Sequence, residues 1–136
     1  MVTNQDVLAR ALDCWNRDDL PGYLELYGDD VVMHGYAGLE PGFANVRRFY
    51  EEWWRSFPGS RLTLQDVITS KDKVVCRFVI DATHGGSFQG LPPTGKRISV
   101  AGITILRFVH GKCVERWTQL DSLGLLLQIG ALGPRQ

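Results

Sequence analysis

The sequence predicts an α+β fold in which helices come first and a curved antiparallel sheet follows. Up to about residue 57, apolar side chains recur three or four positions apart, which is the spacing of amphipathic helices. From Arg61 to Leu120 apolar and polar residues alternate instead, and short polar turns separate long strands. A sheet of this kind can curl around one face and leave an open mouth, with the N-terminal helices as the back wall of a pocket.

Three helices are predicted in the first half of the chain. Thr3 or Asn4 can cap the first helix, because their side-chain oxygens accept hydrogen bonds from free backbone N–H groups. Pro21 fits the first turn of a short second helix. A third helix covers residues 43–57, and residues 31–36 form a strand before it.

Four strands and a last helix are predicted in the second half. The alternating pattern places strands at residues 61–69, 74–84, 97–109 and 113–120. The turn at His110-Gly111 pairs the last two strands as a hairpin. Ser122 can cap a helix over residues 123–129, which Gly130 closes.

Length and charge limit the class of protein. A chain of 136 residues predicts a single domain, residues 1–136, with a substantial core. A formal net charge of zero offers no basic surface for nucleic acid and little repulsion between copies, so a homodimer or higher homo-oligomer is expected. The N-terminus lacks the pattern of a signal peptide, and no stretch is apolar enough to span a membrane, so we expect a cytoplasmic protein.

The cysteine spacing argues against a disulfide framework or a zinc site. The three cysteines are Cys14, Cys76 and Cys113. They are far apart and form no Cys-x-x-Cys pair, so we interpret them as small buried side chains. His34, His84 and Asp121 could together hold a metal, but no short ligand spacing supports such a site, and no metal is expected.

The last predicted strand has one unusual face. Glu115, Trp117, Gln119 and Asp121 share it, because strand residues alternate sides. Two carboxylates, an amide and an indole suit a wet, partly enclosed cavity with an apolar wall. The alternative is that the polar side chains are exposed, Trp117 partly covers the core and Asp121 caps the last helix.

A histidine ends an apolar strand face. Alternate residues from Val74 to Ala82 are apolar, and His84 follows them on the same face. Either His84 bonds to backbone at the strand end, or it lies with Asp121 around one pocket.

Several motifs along the chain match those of one known family. They are Thr83-His84-Gly85-Gly86 and the loop that continues to Lys96, Gly111-Lys112-Cys113-Val114-Glu115-Arg116-Trp117, Asp121, Leu123-Gly124-Leu125-Leu126-Leu127-Gln128-Ile129-Gly130, Asp30-Val31-Val32-Met33-His34-Gly35 and Ser56-Phe57-Pro58. Together they resemble the SnoaL-like polyketide cyclases over nearly the whole chain. The C-terminal half carries the specific part of the likeness.

The resemblance implies a fold and an activity. The fold is nuclear-transport-factor-2-like, an α+β barrel with a deep pocket. The activity is intramolecular aldol condensation of a polyketide-type substrate, without metal or organic cofactor. By the same resemblance, Asp121 is the acid/base and His84 has a polar role in the pocket. Cys113 and the Gly85-Gly86 pair depart from the family pattern, but neither position is the implied acid/base.

A carboxylate can act as the base of this reaction if its pKa rises. Burial beside Trp117 is expected to raise the pKa of Asp121 by desolvation and improve its basicity. Asp121 then removes the proton from carbon, and its conjugate acid protonates the new alkoxide. His84 or Gln119 would donate a hydrogen bond to the enolate oxygen.

The expected partner is a hydrophobic small molecule that stacks on aromatic side chains. The residues predicted to bind it are Trp15, His34, Tyr36, Phe49, Trp54, Glu115, Trp117 and Gln119. Three other functions stay open: a hydrolase, isomerase or hydroxylase using the same pocket, a non-catalytic carrier of a small molecule, and a protein that associates through its sheet.

Overall fold

The computed structural model describes residues 1–132, in which helices pack against one face of a five-stranded sheet. The helices are α1 (Asn4–Asn16), α2 (Leu20–Leu24), α3 (Phe43–Ser56) and α4 (Ser122–Gln128). The strands are β1 (Tyr27–His34), β2 (Arg61–Ser70), β3 (Lys73–Thr83), β4 (Arg97–Val109) and β5 (Lys112–Leu120). The predicted α+β class, with three helices ahead of the long strands, is confirmed.

The strand order β1-β5-β4-β3-β2 places β5 inside the sheet. Strands β2 to β5 form the antiparallel meander that the alternating pattern predicts. Strand β1 adds a parallel neighbour, with His34 beside Trp117. The sheet is curved but not closed, so it forms one wall of a cone rather than a complete barrel.

Helix α1 begins with the cap that the sequence predicts. Thr3 Oγ1 accepts a hydrogen bond from the Asp6 backbone N–H at 3.1 Å. The Asp6 carboxylate in turn accepts from the Thr3 backbone N–H at 2.9 Å. This reciprocal pair satisfies two backbone donors, and it fixes where the helix starts.

The inner face of the sheet and the helices bury the core. All three cysteines lie in it, as predicted, and none forms a disulfide. Alternate residues of β3 and β4 point inward, namely Val74, Cys76, Phe78, Ile80, Ala82, Ile98, Val100, Thr104 and Leu106. No helix among residues 1–132 has both the length and the apolar character needed to cross a membrane.

The first predicted strand has wrong boundaries. Strand β1 is Tyr27–His34 rather than residues 31–36, because Gly28-Asp29-Asp30 is extended and its pairing is irregular between Tyr27 and Val32. Of the two caps that the sequence offers for helix α4, Asp121 is confirmed and Ser122 is wrong.

Candidate functional site: a cavity with a buried arginine

A cavity of about 270 Å³ lies between the inner face of the sheet and the helices. Every helix contributes to it, as do the loop after β1 and the loop between β3 and β4. The aromatic lining residues are Trp15, Tyr23, Tyr36, Phe49, Tyr50, Trp53, Phe78 and Phe88. Strand β5 supplies Arg116, Thr118 and Leu120.

Arg116 lies at the floor of this cavity with only 6% of its surface exposed. Its Nε donates to Thr104 Oγ1 at 2.9 Å. Its Nη1 lies 2.6 Å from the Tyr27 hydroxyl oxygen, 3.1 Å from that of Tyr23 and 3.4 Å from that of Tyr50. All four partners are uncharged side-chain hydroxyl oxygens, and they come from α2, β1, α3 and β4.

The second terminal nitrogen of Arg116 is available to a ligand. Nη2 makes no hydrogen bond to residues 1–132. Unlike a fully enclosed atom, Nη2 keeps some accessible surface. Because Arg116 lines the cavity, this surface is open to the cavity. A guanidinium is always protonated in proteins, so this nitrogen presents positively charged donors.

The tyrosines around Arg116 are neutral. Burial raises the pKa of the Tyr23, Tyr27 and Tyr50 hydroxyls, and the opposing effect of Arg116 is smaller. Burial likewise raises the pKa of Tyr36. None of these hydroxyls is therefore a tyrosinate that could balance the charge of Arg116.

A second chain of hydroxyls starts at Tyr36. Its hydroxyl lies 2.9 Å from Thr118 Oγ1, which lies 2.8 Å from Thr104 Oγ1. Thr104 donates to the Trp117 carbonyl at 2.9 Å, because a carbonyl can only accept. Thr118 must then donate to Thr104, and Tyr36 to Thr118, so the direction of each hydrogen bond in this chain is fixed.

Among the residues that line the cavity there is no carboxylate and no imidazole. Moving an ion out of water costs several kcal/mol even after the protein relaxes, and a partner charge normally offsets that cost. Arg116 makes no salt bridge to any residue in 1–132. The cavity is therefore an apolar space with an uncompensated cation at its floor.

The expectation that Asp121 lies inside an enclosed cavity is wrong. Its side chain is exposed and caps α4, where Oδ1 accepts from the Gly124 N–H at 2.9 Å. The carboxylate occupies the space that a Gly124 side chain would need, since Oδ2 would overlap a Cβ atom on that glycine. The structure does not test the acid/base role of Asp121, and it removes the enclosure on which that expectation depended.

His84 is fully buried but does not line the cavity. Its Nδ1 accepts from the Thr94 backbone N–H at 3.3 Å and lies 3.0 Å from the Thr94 hydroxyl. Its ring packs against Phe57 at a centroid distance of 5.5 Å. His84 holds the loop between β3 and β4 against the strand end, and the structure does not bring it together with Asp121 around one pocket.

The predicted polar face of β5 is on the outside of the sheet. Glu115 accepts from Arg107 Nε at 3.1 Å and lies 2.8 Å from His34 Nε2, and Trp117 stacks on His34 at 5.2 Å. Gln119 is exposed. The prediction that these side chains line the pocket is wrong, because the opposite face of β5 points inward. It applies to His34, Glu115, Trp117 and Gln119. The expected homodimer stays a prediction.

Three of the predicted aromatic residues do line the cavity: Trp15, Tyr36 and Phe49. Trp54 lies outside the lining residues and packs edge-on against Trp15 at 4.5 Å. The metal site considered from His34, His84 and Asp121 is not formed, and no group of three or more potential ligands gathers anywhere in residues 1–132.

Sequence reasoning missed Arg116, the main polar group of the cavity. One signal was available: Tyr23 and Tyr27, four residues apart, lie in apolar surroundings, and a buried tyrosine hydroxyl usually finds a hydrogen-bond partner. That pattern indicates a polar group inside the core, although it does not identify the strand that supplies it.

Fold and cavity together define a class: a small protein of the nuclear-transport-factor-2-like fold with an internal cavity of small-molecule size. The family model of the SnoaL-like polyketide cyclases matches residues 5–129, so the chain belongs to that family, as its motifs predict. No curated protein matches the chain.

Solved structures agree with this assignment. AclR from Streptomyces galilaeus, a proposed hydroxylase, is 31% identical, with a TM-score of 0.84 over 96% of this chain and 97% of AclR. IdmH from Streptomyces antibioticus, a proposed polyketide cyclase, is 30% identical, with a TM-score of 0.80 over 94% of this chain and 99% of IdmH. A SnoaL-like protein from Jannaschia sp. CCS1, 20% identical, has the same fold, with a TM-score of 0.83 over 96% of this chain and 93% of that protein.

Proposed function

We propose that this protein closes a ring in a polyketide-type substrate by intramolecular aldol condensation and that donors at the cavity floor hold the enolate oxygen. Membership of the SnoaL-like family supports the reaction class, and IdmH is itself a proposed polyketide cyclase. The observation that carries the proposal is the buried Arg116 beneath aromatic walls, because fixed donors in a water-poor site stabilise a developing oxyanion strongly.

The cavity suits a compact, flat ring system. Its volume of about 270 Å³ is slightly below the usual range of ligand pockets, roughly 300–1,000 Å³. Trp15, Phe49 and Phe88 stand among the walls and can stack on such a ring. Confinement of a flexible chain between these side chains would bring the two reacting carbons together and remove much of the entropic barrier to ring closure.

The donors act at one step of the reaction. Loss of a proton from the carbon between two carbonyl groups leaves an enolate, whose oxygen Nη2 of Arg116 would hold. The enolate carbon then attacks a second carbonyl within the same molecule and forms the new carbon–carbon bond. Donors of this kind contribute roughly 3–4 kcal/mol to the transition state where one has been removed from other enzymes.

The test is ring closure of an aromatic polyketide precursor, followed by mass spectrometry of the product. Arg116→Gln should lower kcat by about 10²–10³-fold, because the substituted side chain carries no charge. Arg77→Gln is the matched control, since Arg77 is exposed and binds Asp66 outside the cavity, and it should keep the wild-type rate. A wild-type rate in Arg116→Gln would reject the proposed role of the cavity floor.

Hydroxylation is the second candidate function, because AclR, which is 31% identical, is a proposed hydroxylase. The two reactions differ in mass balance. An aldol closure keeps the atoms of the substrate or loses one water, whereas a hydroxylation adds one oxygen atom. Incubation under isotopically labelled dioxygen distinguishes them, since only a hydroxylated product can carry the label.

A further inference from the structure

The cavity floor has a hydrogen-bond donor group that the protein does not use. Arg116 Nη2 has no partner within residues 1–132 and is open to the cavity. The indole N–H of Trp15 also has no partner there, but it is fully enclosed, so it does not face the cavity as Arg116 Nη2 does. Arg116 Nη2 is therefore a donor that a ligand in the cavity can reach.

The tyrosine hydroxyls beside Arg116 bond to one another. The Tyr27 hydroxyl oxygen lies 2.6 Å from that of Tyr23 and 2.9 Å from that of Tyr50, and Tyr23 and Tyr50 also lie within hydrogen-bonding reach of each other. These three hydroxyls therefore supply Arg116 with neutral oxygen acceptors and leave its charge unbalanced.

The charge of Arg116 is not balanced by any group that faces it. The titratable groups around it are Tyr23 on α2, Tyr27 on β1, Tyr36 after β1, Tyr50 on α3, Cys76 on β3 and Cys113 on β5. Burial raises the pKa of each of these groups, so all of them are neutral at pH 7. A ligand that complements the floor therefore brings both acceptor lone pairs and negative charge.

We infer that the cavity takes its ligand as an anion: a flat, conjugated small molecule whose ionised oxygen, an enolate or a phenolate, lies against Arg116 Nη2. The inference rests on the proposed function for the location of the site. It deepens that function by specifying the ionisation state of the substrate.

An anionic substrate also explains a site whose lining has no base. A 1,3-dicarbonyl substrate would lose its proton to solvent as it binds, and the site would select the enolate. The enolate carbon attacks the accepting carbonyl carbon, one carbon–carbon bond forms, and the carbonyl electron pair becomes an alkoxide. That alkoxide takes one proton from water, which balances the proton lost on binding, and no oxidant or reductant is needed.

The test uses 4-nitrophenol, which ionises near neutral pH and absorbs differently as phenol and as phenolate. Its absorbance is titrated against pH, free in solution and with saturating wild-type protein. We expect the midpoint of the bound probe to fall by at least about one pH unit, which corresponds to about tenfold tighter binding of the phenolate than of the phenol.

Variants attribute the effect to Arg116. Arg116→Gln should remove most of the shift, Arg116→Lys should keep part of it, and Arg77→Gln should keep all of it. Near-ultraviolet circular dichroism, which reports the packing of the aromatic cluster, checks that each variant is folded. If Arg116→Gln does not fold, the wild-type midpoint and the Arg116→Lys variant still decide the question.

Three outcomes would overturn the inference: no binding of the phenolate at millimolar concentration, an unshifted or raised midpoint in the wild type, or a shift that survives in folded Arg116→Gln. The probe undergoes no ring closure, so its binding is independent of turnover. A shifted midpoint without ring-closing activity would reject the proposed function alone, and turnover without a shift would reject this inference alone.

Discussion

Replacing Asp121 with asparagine or alanine separates a structural role of this residue from a chemical one. The carboxylate caps α4 through the Gly124 N–H at 2.9 Å, and it is exposed. Asparagine caps helices as well as aspartate does, but it cannot take up a proton as a carboxylate can. Alanine removes both the cap and the acid.

The magnitudes follow from the cap. Asp121→Ala should lower the free energy of unfolding by about 1 kcal/mol, the usual cost of losing an N-cap side chain. In a chain of this length that is a fall in Tm of about 3–5 °C. Asp121→Asn should cost only a few tenths of a kcal/mol, since only the favourable effect of a negative charge at the helix N-terminus is lost.

Both variants are assayed for thermal stability and for kcat on the same polyketide precursor, per folded molecule. Asp19→Asn is the matched control, because Asp19 caps α2 through the Gly22 N–H in the same way, at 3.0 Å. We expect wild-type kcat in all three variants. A loss of about 10²–10⁴-fold in Asp121→Asn, with stability unchanged, would refute this reasoning and establish Asp121 as the acid/base.

Three further substitutions, assayed by chemical denaturation, test the packing against Phe78, the chain of hydroxyls from Tyr36 and the cap of α1. Gly102→Ala places a Cβ 2.5 Å from the Phe78 ring, and it should cost about 1–3 kcal/mol as that ring is pushed aside; a neutral effect would mean that the ring has room to move. Thr118→Val removes the hydroxyl that links Tyr36 to Thr104 and should cost about 1–3 kcal/mol, unless water replaces the lost bonds. Thr3→Ala should cost about 1 kcal/mol by breaking the α1 cap, and unchanged stability would argue against the capping box.

Local features of the fold were predictable because neighbouring residues decide them. The cap at Thr3 depends on a residue three positions away. The hairpin turn depends on His110-Gly111, whose backbone angles φ are 49° and 75°, in the left-handed region that a glycine adopts readily. The pairing of β1 with β5 was not predictable in this way, because it joins residues more than 80 positions apart, such as His34 and Trp117.

The candidate site was only partly predictable for a related reason. Alternation correctly divides β5 into two faces, but it does not say which face the helices cover. Trp117 suggests the inner face by its hydrophobicity, and Arg116 suggests the outer one by its charge. The tertiary structure reverses both, because the tyrosines of α2, β1 and α3 supply the hydrogen bonds that Arg116 needs inside.

The central claim is that the cavity binds an anionic ligand through Arg116. The most direct test is a crystal structure of the protein with a bound hydroxylated aromatic anion. We predict that the ring lies between the aromatic walls and that its ionised oxygen lies about 2.7–3.2 Å from Arg116 Nη2. A ligand whose oxygens point away from Arg116, or one held at the exposed Asp121 carboxylate, would contradict the account.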